Sequence, residues 1–130
     1  MKIFLGIDYG TKRIGLATAQ TPIAEPYKIV SKEKSIDTIK IICQQENITN
    51  IVVGISENKT KTLTLKFINE LKKVIDLPIH TQDETLSSHQ VKEHFLNTDL
   101  KKSKLHGSID HYSAAIILQD YLDDHLPFNL

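Results

Sequence analysis

Acidic residues interrupt three stretches of this sequence that otherwise predict regular, buried structure. They are Asp8 at the end of a short apolar run, Asp83 and Glu84 after a strand-like segment, and Asp110 at the start of the last helical pattern. Aspartate is depleted in strands, and a carboxylate on the core side of a helix is costly to bury unless it is paired or binds a cation. The local alternatives are that Asp8 closes its own turn and that Asp110 caps its helix.

Together these acids predict a cluster of oxygen ligands for Mg²⁺ or Mn²⁺, ions that prefer carboxylates and water to imidazole or thiolate. Carboxylates held together without a cation would raise one another's pKa, so a divalent ion would stabilise the ionised cluster. Because neighbouring side chains of a strand point to opposite faces, only one of Asp83 and Glu84 is expected to join Asp8. Such ions can activate water and stabilise the leaving oxygen of a phosphodiester, so the sequence indicates phosphate chemistry.

The strands that must position these acids follow an α/β pattern. Residues 3–19 predict a hairpin with a tight, glycine-containing turn, and residues 27–30 can form a third strand after a proline-containing loop over 21–26. The β-branched run 51–55 shows no polar alternation, which is typical of a strand buried on both faces of a parallel sheet. Residues 78–82 predict a short strand that leads into the acidic pair.

Four amphipathic helices are predicted between and after these strands. The first covers 35–47 with Ser35 as its N-cap, and a third runs from an N-cap near Thr85 through Phe95. The last covers 109–122 and is the clearest helix of the chain. The second is predicted from an apolar stripe at Leu63, Phe67, Leu71 and Val74.

The composition is that of an ordinary globular protein, with 130 residues, 40% hydrophobic and 25% charged. This length predicts one domain over residues 1–130. The lone cysteine, Cys43, excludes an internal disulfide and a cysteine-rich zinc site. The apolar run before Asp8 is too short for a secretory signal and no stretch is long enough to span a membrane, so a cytoplasmic location without membrane contact is expected.

The charge balance, 16 basic against 16 acidic residues, gives no overall attraction to a polyanion. A balanced total can still contain a basic face. Candidate contacts to backbone phosphates are Lys12 and Arg13 in the first turn and Lys101, Lys102 and Lys104 before the last helix. The alternative is that each is only a solvated surface residue.

Four motifs closely resemble the YqgF/RuvX family in its order and spacing. They are G-I-D-Y-G-T-K-R-I-G-L-A at 6–17, I-V-V-G at 51–54, D-E-T-L-S-S at 83–88 and I-D-H-Y-S-A-A-I-I-L-Q-D-Y-L at 109–122. The first and last of these motifs are specific, and the resemblance extends over nearly the whole chain. It implies an RNase H-like fold, in which a mixed sheet of five strands has helices on both faces.

The resemblance also implies which residues hold the metal. Asp8, Glu84 and Asp110 match the family's acidic residues and would be both catalytic and metal-binding, with Asp83 possible in place of Glu84. The implied activity is that of a hydrolase, a nuclease that processes the 5' end of the 16S ribosomal RNA precursor. The alternative within the family is a Holliday junction resolvase acting on branched DNA. The partner is then nucleic acid, and the chain is a monomer or a homodimer.

The sequence differs from the family pattern at two positions, and two other classes of protein are alternatives. Thr85 stands where the family usually has arginine, and Ser56 stands where it tends to have proline, so substrate preference is less certain than fold. A D-x-G-T turn also resembles the phosphate-binding turn of actin-like ATPases, but those proteins need two such domains. A non-catalytic RNA-binding or assembly module is the third possibility, although a binder of a polyanion gains nothing from clustered carboxylates.

Overall fold

The computed structural model describes residues 1–56, 61–83 and 109–125, with only the backbone for 109–111. Its strands are β1 (Phe4–Tyr9), β2 (Arg13–Ala19), β3 (Glu25–Ser31), β4 (Asn50–Ile55) and β5 (Ile79–Asp83). Its helices are α1 (Ser35–Gln45), α2 (Lys61–Val74) and α3 (Ile109–His125). The helix predicted over 85–95 lies outside the described residues.

The strands form one mixed sheet in the order β3-β2-β1-β4-β5. The pairs β1–β2 and β2–β3 are antiparallel, whereas β1–β4 and β4–β5 are parallel. The predicted hairpin and the buried parallel strand are therefore confirmed. Since β1, β3, β4 and β5 all run in one direction, they finish together at what we call the carboxyl end of the sheet.

Helices cover both faces of the sheet, as the resemblance implied. The alternation of β1 sends Leu5 and Ile7 into the core under α1 and α2. Phe4, on the opposite face, packs with Ala114 and Leu118 of α3. Within the described ranges, no helix has the length and apolarity needed to cross a bilayer.

The third strand is longer than predicted, because Glu25 and Pro26 belong to β3 and not to the preceding loop. β3 lies at the edge of the sheet, where a proline costs no ladder hydrogen bond. The pairing of β2 with β3 shifts register between Leu16 and Ala17, next to Pro26. The edge position therefore explains why a proline-containing segment forms a strand.

Ser35 was predicted to be the N-cap of α1, but it is the first residue of the helix. The cap is Lys34, which has left-handed backbone angles (φ 62°, ψ 17°) and makes no capping hydrogen bond with its side chain. The preference of serine for caps was overridden here by packing, since Ser35 is buried with only 4% of its surface exposed. Sequence propensity could not anticipate that burial.

The buried stripe of α2 also differs from the prediction. Phe67 and Leu71 are buried as expected, but Leu63 and Val74 are 50% and 41% exposed. Thr64 and Ile68 complete the buried face instead. These four residues lie on adjacent i, i+3 and i+4 positions, so the true stripe is rotated by one position from the predicted one.

Candidate functional site

Asp8 lies on β1, one residue before that strand ends, and is partly buried. The hairpin turn behind it is closed by a hydrogen bond of 3.0 Å from the Gly10 amide to the Arg13 carbonyl. On β2, Asp8 is paired with Gly15. On β4, Val53 is paired with Ile7, so the next residue, Gly54, is level with Asp8. The positions level with Asp8 on both neighbouring strands are therefore glycines.

Helix α3 crosses β1 in close contact at Gly6. A Cβ atom added to Gly6 would lie 2.8 Å from the Cβ of Leu118 and 3.1 Å from the Ala114 carbonyl oxygen. Nearer the start of β1, the ring centroids of Phe4 and Tyr121 are 6.1 Å apart. The chain of α3 thus runs opposite to β1, and its first turn lies toward the carboxyl end of the sheet.

This crossing brings the start of α3 to the same place as Asp8. Asp8 is two residues beyond Gly6, about 6.6 Å along the strand. Asp110 is four residues before Ala114, about 6 Å along the helix axis in the same direction. The backbone of Asp110 and the position of Asp8 are therefore brought together at the carboxyl end, on the α3 face of the sheet.

Asp83 lies on the other face. It is paired in register with Ile55, as Ile79 is with Ile51, and Ile55 and Ile79 both pack against the core under α1 and α2. Paired residues of parallel strands share a face, so Asp83 faces away from α3. Its exposed position places it near the rim of the sheet and not beside Asp8.

The start of every described helix lies at the carboxyl end of the sheet, since α1 follows β3 directly and α2 follows β4 after a short connection. Helix N-termini carry partial positive charge, which favours ionised carboxylates and phosphate groups at this end. Ser56 directly follows β4, and among the described residues its buried hydroxyl has no hydrogen-bond partner. This end of the sheet is therefore polar and suited to anions.

Of the predicted nucleic-acid contacts, Lys12 and Arg13 are exposed beside the hairpin turn, at the carboxyl end. Asp8 lies on β1, the preceding strand of the same hairpin. The other predicted contacts, together with one predicted metal ligand, fall outside the described residues. These are Glu84, Lys101, Lys102 and Lys104.

The donor chemistry at this end fits a hard divalent cation. Asp8 offers carboxylate oxygen, and Cys43, the one cysteine of the chain, is buried in the core on the other side of the sheet. Hard oxygen donors select Mg²⁺ or Mn²⁺ over softer metals. Among the described side chains, no three His, Cys, Asp or Glu residues come close enough to hold a metal ion. The fit therefore rests on the type of donor that Asp8 contributes.

Sequence reasoning missed the role of Gly6. It recognised the glycine as part of a motif but not as the point where a helix backbone contacts the strand. A signal was available, because a glycine inside a strand marks a bulge or a close approach of another backbone. Ala114 and Ala115 in the last helical pattern are the matching small residues.

Comparison with known proteins gives a consistent result. The profile of the RuvX family, described as "Holliday junction resolvase", matches residues 2–124. A Clostridium kluyveri protein named "Putative pre-16S rRNA nuclease" is 33% identical, in an alignment covering 92% of this chain and 95% of the relative. A Pelagibacter ubique protein of the same name is 35% identical, with 92% and 87% covered.

Two solved structures have a similar backbone. RuvC of T. thermophilus in complex with a Holliday junction substrate superimposes with a TM-score of 0.62 at 11% identity, covering 98% of both chains. The Fowlpox virus resolvase in complex with Holliday junction DNA gives 0.60 at 13% identity, covering 95% of this chain and 99% of that one. The likeness to RuvC confirms the predicted RNase H-like fold.

Proposed function

Because this chain belongs to the RuvX family, we propose that it is a divalent-metal-dependent nuclease that hydrolyses phosphodiester bonds in the precursor of 16S ribosomal RNA. The observation that carries this proposal is the convergence of Asp8 with the first turn of α3, which contains Asp110. The names of the relatives support the RNA precursor as substrate. A ribosomal RNA substrate would place the protein in the cytoplasm.

Asp8, Glu84 and Asp110 would hold one or two Mg²⁺ or Mn²⁺ ions. Glu84 is preferred to its neighbour because Asp83 faces away from α3 and so from Asp8. When bound, the ion supplies a Lewis acid that activates water and stabilises the charge that develops on the leaving oxygen.

The chain itself orients the substrate around this point. The close contact of α3 with β1 at Gly6 would hold the two aspartates at one separation, which a reaction sensitive to small displacements requires. Lys12 and Arg13 would bind phosphates on one side of the scissile bond. The Ser56 hydroxyl, which has no hydrogen-bond partner in the part of the chain that the structure describes, would donate a hydrogen bond to a phosphate oxygen.

The test is cleavage of a labelled fragment of the rRNA precursor and of a synthetic four-way DNA junction, in Mn²⁺ and in EDTA. Wild type should cut the RNA only with Mn²⁺. Asp8→Asn should lower the rate by about 100-fold or more, because stabilisation by the ion is worth several kcal/mol. RNA binding in EDTA should be unchanged by Asp8→Asn.

The acidic pair provides a matched control. Glu84→Gln should reduce cleavage as Asp8→Asn does, whereas Asp83→Asn should leave it within about twofold, since its carboxylate faces the opposite side of the sheet. The reverse result would assign the ligand to Asp83.

Resolution of Holliday junctions is the second candidate, favoured by the description of the family profile and by the junction-bound RuvC of similar fold. Metal-dependent cutting of the junction and not of the RNA would select it. A symmetric junction also needs two active sites, so a homodimer in sedimentation experiments would support it. If both nucleic acids bind but neither is cut, the proposal of a nuclease fails and a non-catalytic assembly role replaces it.

A further inference from the structure

A pocket of about 360 Å³ opens between α1, α2 and the end of β1, on the sheet face opposite to Asp8. Three lysines line it, namely Lys32 and Lys34 from the β3–α1 connection and Lys66 from α2. The whole chain has equal numbers of basic and acidic residues, so this grouping of lysines is local. Two carboxylates, Asp37 and Glu70, also line the pocket and leave it with one net positive charge.

Aromatic rings form part of the pocket wall. The rings of Tyr9 and Phe67 lie 4.5 Å apart between centroids, and the Lys32 ammonium is 4.2 Å from the centre of the Tyr9 ring. This cation–π contact holds Lys32 in place at the rim. A low-dielectric wall beside fixed charge strengthens the field inside a cleft, which favours an anionic ligand.

The pocket is close to the proposed cleavage site along the chain. Tyr9 directly follows Asp8, and the alternation of β1 sends the two side chains to opposite faces. The exposed turn with Lys12 and Arg13 lies at the same end of the sheet. A nucleic acid strand that leaves Asp8 and passes over this turn would reach the pocket.

We propose that this pocket, lined by Lys32, Lys34 and Lys66, binds a backbone phosphate of the RNA substrate next to the cleavage site. Lysine ammonium groups bind phosphates as point charges and carry no sequence information, so the pocket would position the strand and not select its sequence. The inference rests on the proposed function only for the identity of the ligand. A free nucleotide offers the same phosphate chemistry and must be distinguished by experiment.

The test compares two double variants that each remove two positive charges. One is Lys34→Gln with Lys66→Gln, in the pocket. The matched control is Lys72→Gln with Lys73→Gln, exposed residues in the last turn of α2, away from the pocket. Affinity for a fluorescent single-stranded RNA is measured in EDTA over a series of salt concentrations, so that binding is scored without cleavage.

The pocket variant should raise Kd roughly tenfold and lower the slope of log K against log salt by about 0.7, the contribution of the one phosphate of a single strand that the pocket is proposed to bind. The control should change the slope by less than about 0.3 on the same scale. Equal losses in both variants would overturn the proposal, because they would show only a general effect of charge.

Two further arms separate the remaining outcomes. Binding of a nucleoside monophosphate is followed through the backbone amide NMR signals of Ser35 and Ile36. Saturation at micromolar nucleotide, with unchanged RNA affinity in the pocket variant, would overturn the proposal in favour of a free nucleotide. If wild type cuts no substrate but the pocket variant still loses its salt slope, the proposed nuclease fails and the phosphate site stands.

Discussion

The two faces of the sheet are packed in different ways. Under α1 and α2 the core is built from large aliphatic residues, including Leu5, Ile7, Ile14, Leu16, Ile39, Ile51, Val53 and Leu71. Where α3 crosses the sheet, large residues such as Leu118 and Leu122 are buried together with Ala17, Ala19, Ala114 and Ala115, and at Gly6 the helix lies against the strand with no room for a Cβ atom. Large side chains can repack, whereas a helix in contact with a strand backbone cannot shift without a clash. Both faces therefore contribute buried apolar surface, and the close contact at Gly6 in addition restricts the position of the helix that contains Asp110.

The largest loss of stability is expected from Leu71→Ala, on the α1 and α2 face. Leu71 is fully buried, so its truncation should lower the free energy of unfolding by about 2–5 kcal/mol. Cleavage per folded molecule should stay near the wild-type value, because α3 is not touched. Urea denaturation and cleavage corrected for the folded fraction measure the two effects.

Leu65→Ala is the matched control on the same helix. Leu65 is 42% exposed, so the change should be within about 0.5 kcal/mol. A loss of cleavage in Leu71→Ala beyond the loss of folded protein would contradict the division between the two faces.

Gly6→Ala should lower stability less than Leu71→Ala does, but it should also lower cleavage per folded molecule. The added methyl would meet the Cβ of Leu118 at 2.8 Å and the Ala114 carbonyl oxygen at 3.1 Å, so α3 must move away from β1. We expect a loss of about 1–3 kcal/mol in stability. Cleavage should fall by about 10-fold to 100-fold, because small displacements of catalytic groups are costly. RNA affinity in EDTA should be unchanged.

Val53→Ile adds one methylene to the fully buried core of the opposite face and serves as the control. It should destabilise by a similar amount through overpacking, yet leave cleavage of the folded protein unaffected. If both variants lose cleavage in proportion to stability, the contact at Gly6 has no special role in positioning.

The strands and α3 were predictable because their signals are local. The unbroken apolar run at 51–55 and the regular pattern of 109–122 identify their elements without knowledge of the fold. The face of Asp83 was not predictable in the same way. It depends on the register of β5 against β4, which pairs Asp83 with Ile55. The sequence could state only that one of the two acids would join Asp8.

Features that arise from packing between distant segments could not be predicted from the sequence. The burial of Ser35 and the exposure of Leu63 both follow from how α1 and α2 settle on the sheet. The lysine pocket combines Lys32 and Lys66, which are separated by a helix and a strand. No spacing rule connects such residues, so only the topology brings them together.

A smaller effect is expected from Gln119→Ala, which removes a polar link between α3 and the β2–β3 connection. The Ala24 amide donates to Gln119 Oε1 at 2.8 Å, and Gln119 Nε2 donates to the Pro22 carbonyl at 2.8 Å. Loss of both bonds should lower the free energy of unfolding by about 1–2 kcal/mol, measured by urea denaturation. Gln45→Ala, the same substitution at an exposed position of α1, is the control. Equal stability of the two variants would show that the link contributes nothing.

The smallest effect concerns His80, on the α3 face of β5, which is in register through Val52 with Gly6. Burial lowers the pKa of His80 below its usual 6.5, and the charges of His125 and Lys2 lower it further. The Asn50 side-chain nitrogen lies 3.3 Å from Nε2 of His80, and a protonated Nε2 could not accept a hydrogen bond from it. The ring also packs on Tyr121 of α3, with centroids 5.2 Å apart. Burial and the contact with Asn50 therefore both favour the neutral form of His80 in the folded state.

As the pH falls through about 6.5, the unfolded chain binds a proton at His80 before the folded protein does, so stability falls. This loss begins near the usual pKa and continues until the pH reaches the lowered pKa of the folded state. His80→Gln should remove it, so the difference in stability between wild type and variant is constant above about pH 7.5 and shifts in favour of the variant below pH 6.5. Urea denaturation of both proteins from pH 5 to 8 measures the difference in their free energies of unfolding. Because both proteins contain the same carboxylates, the titration of those groups cancels in this difference. Parallel curves over the whole range would show that His80 is equally easy to protonate in both states.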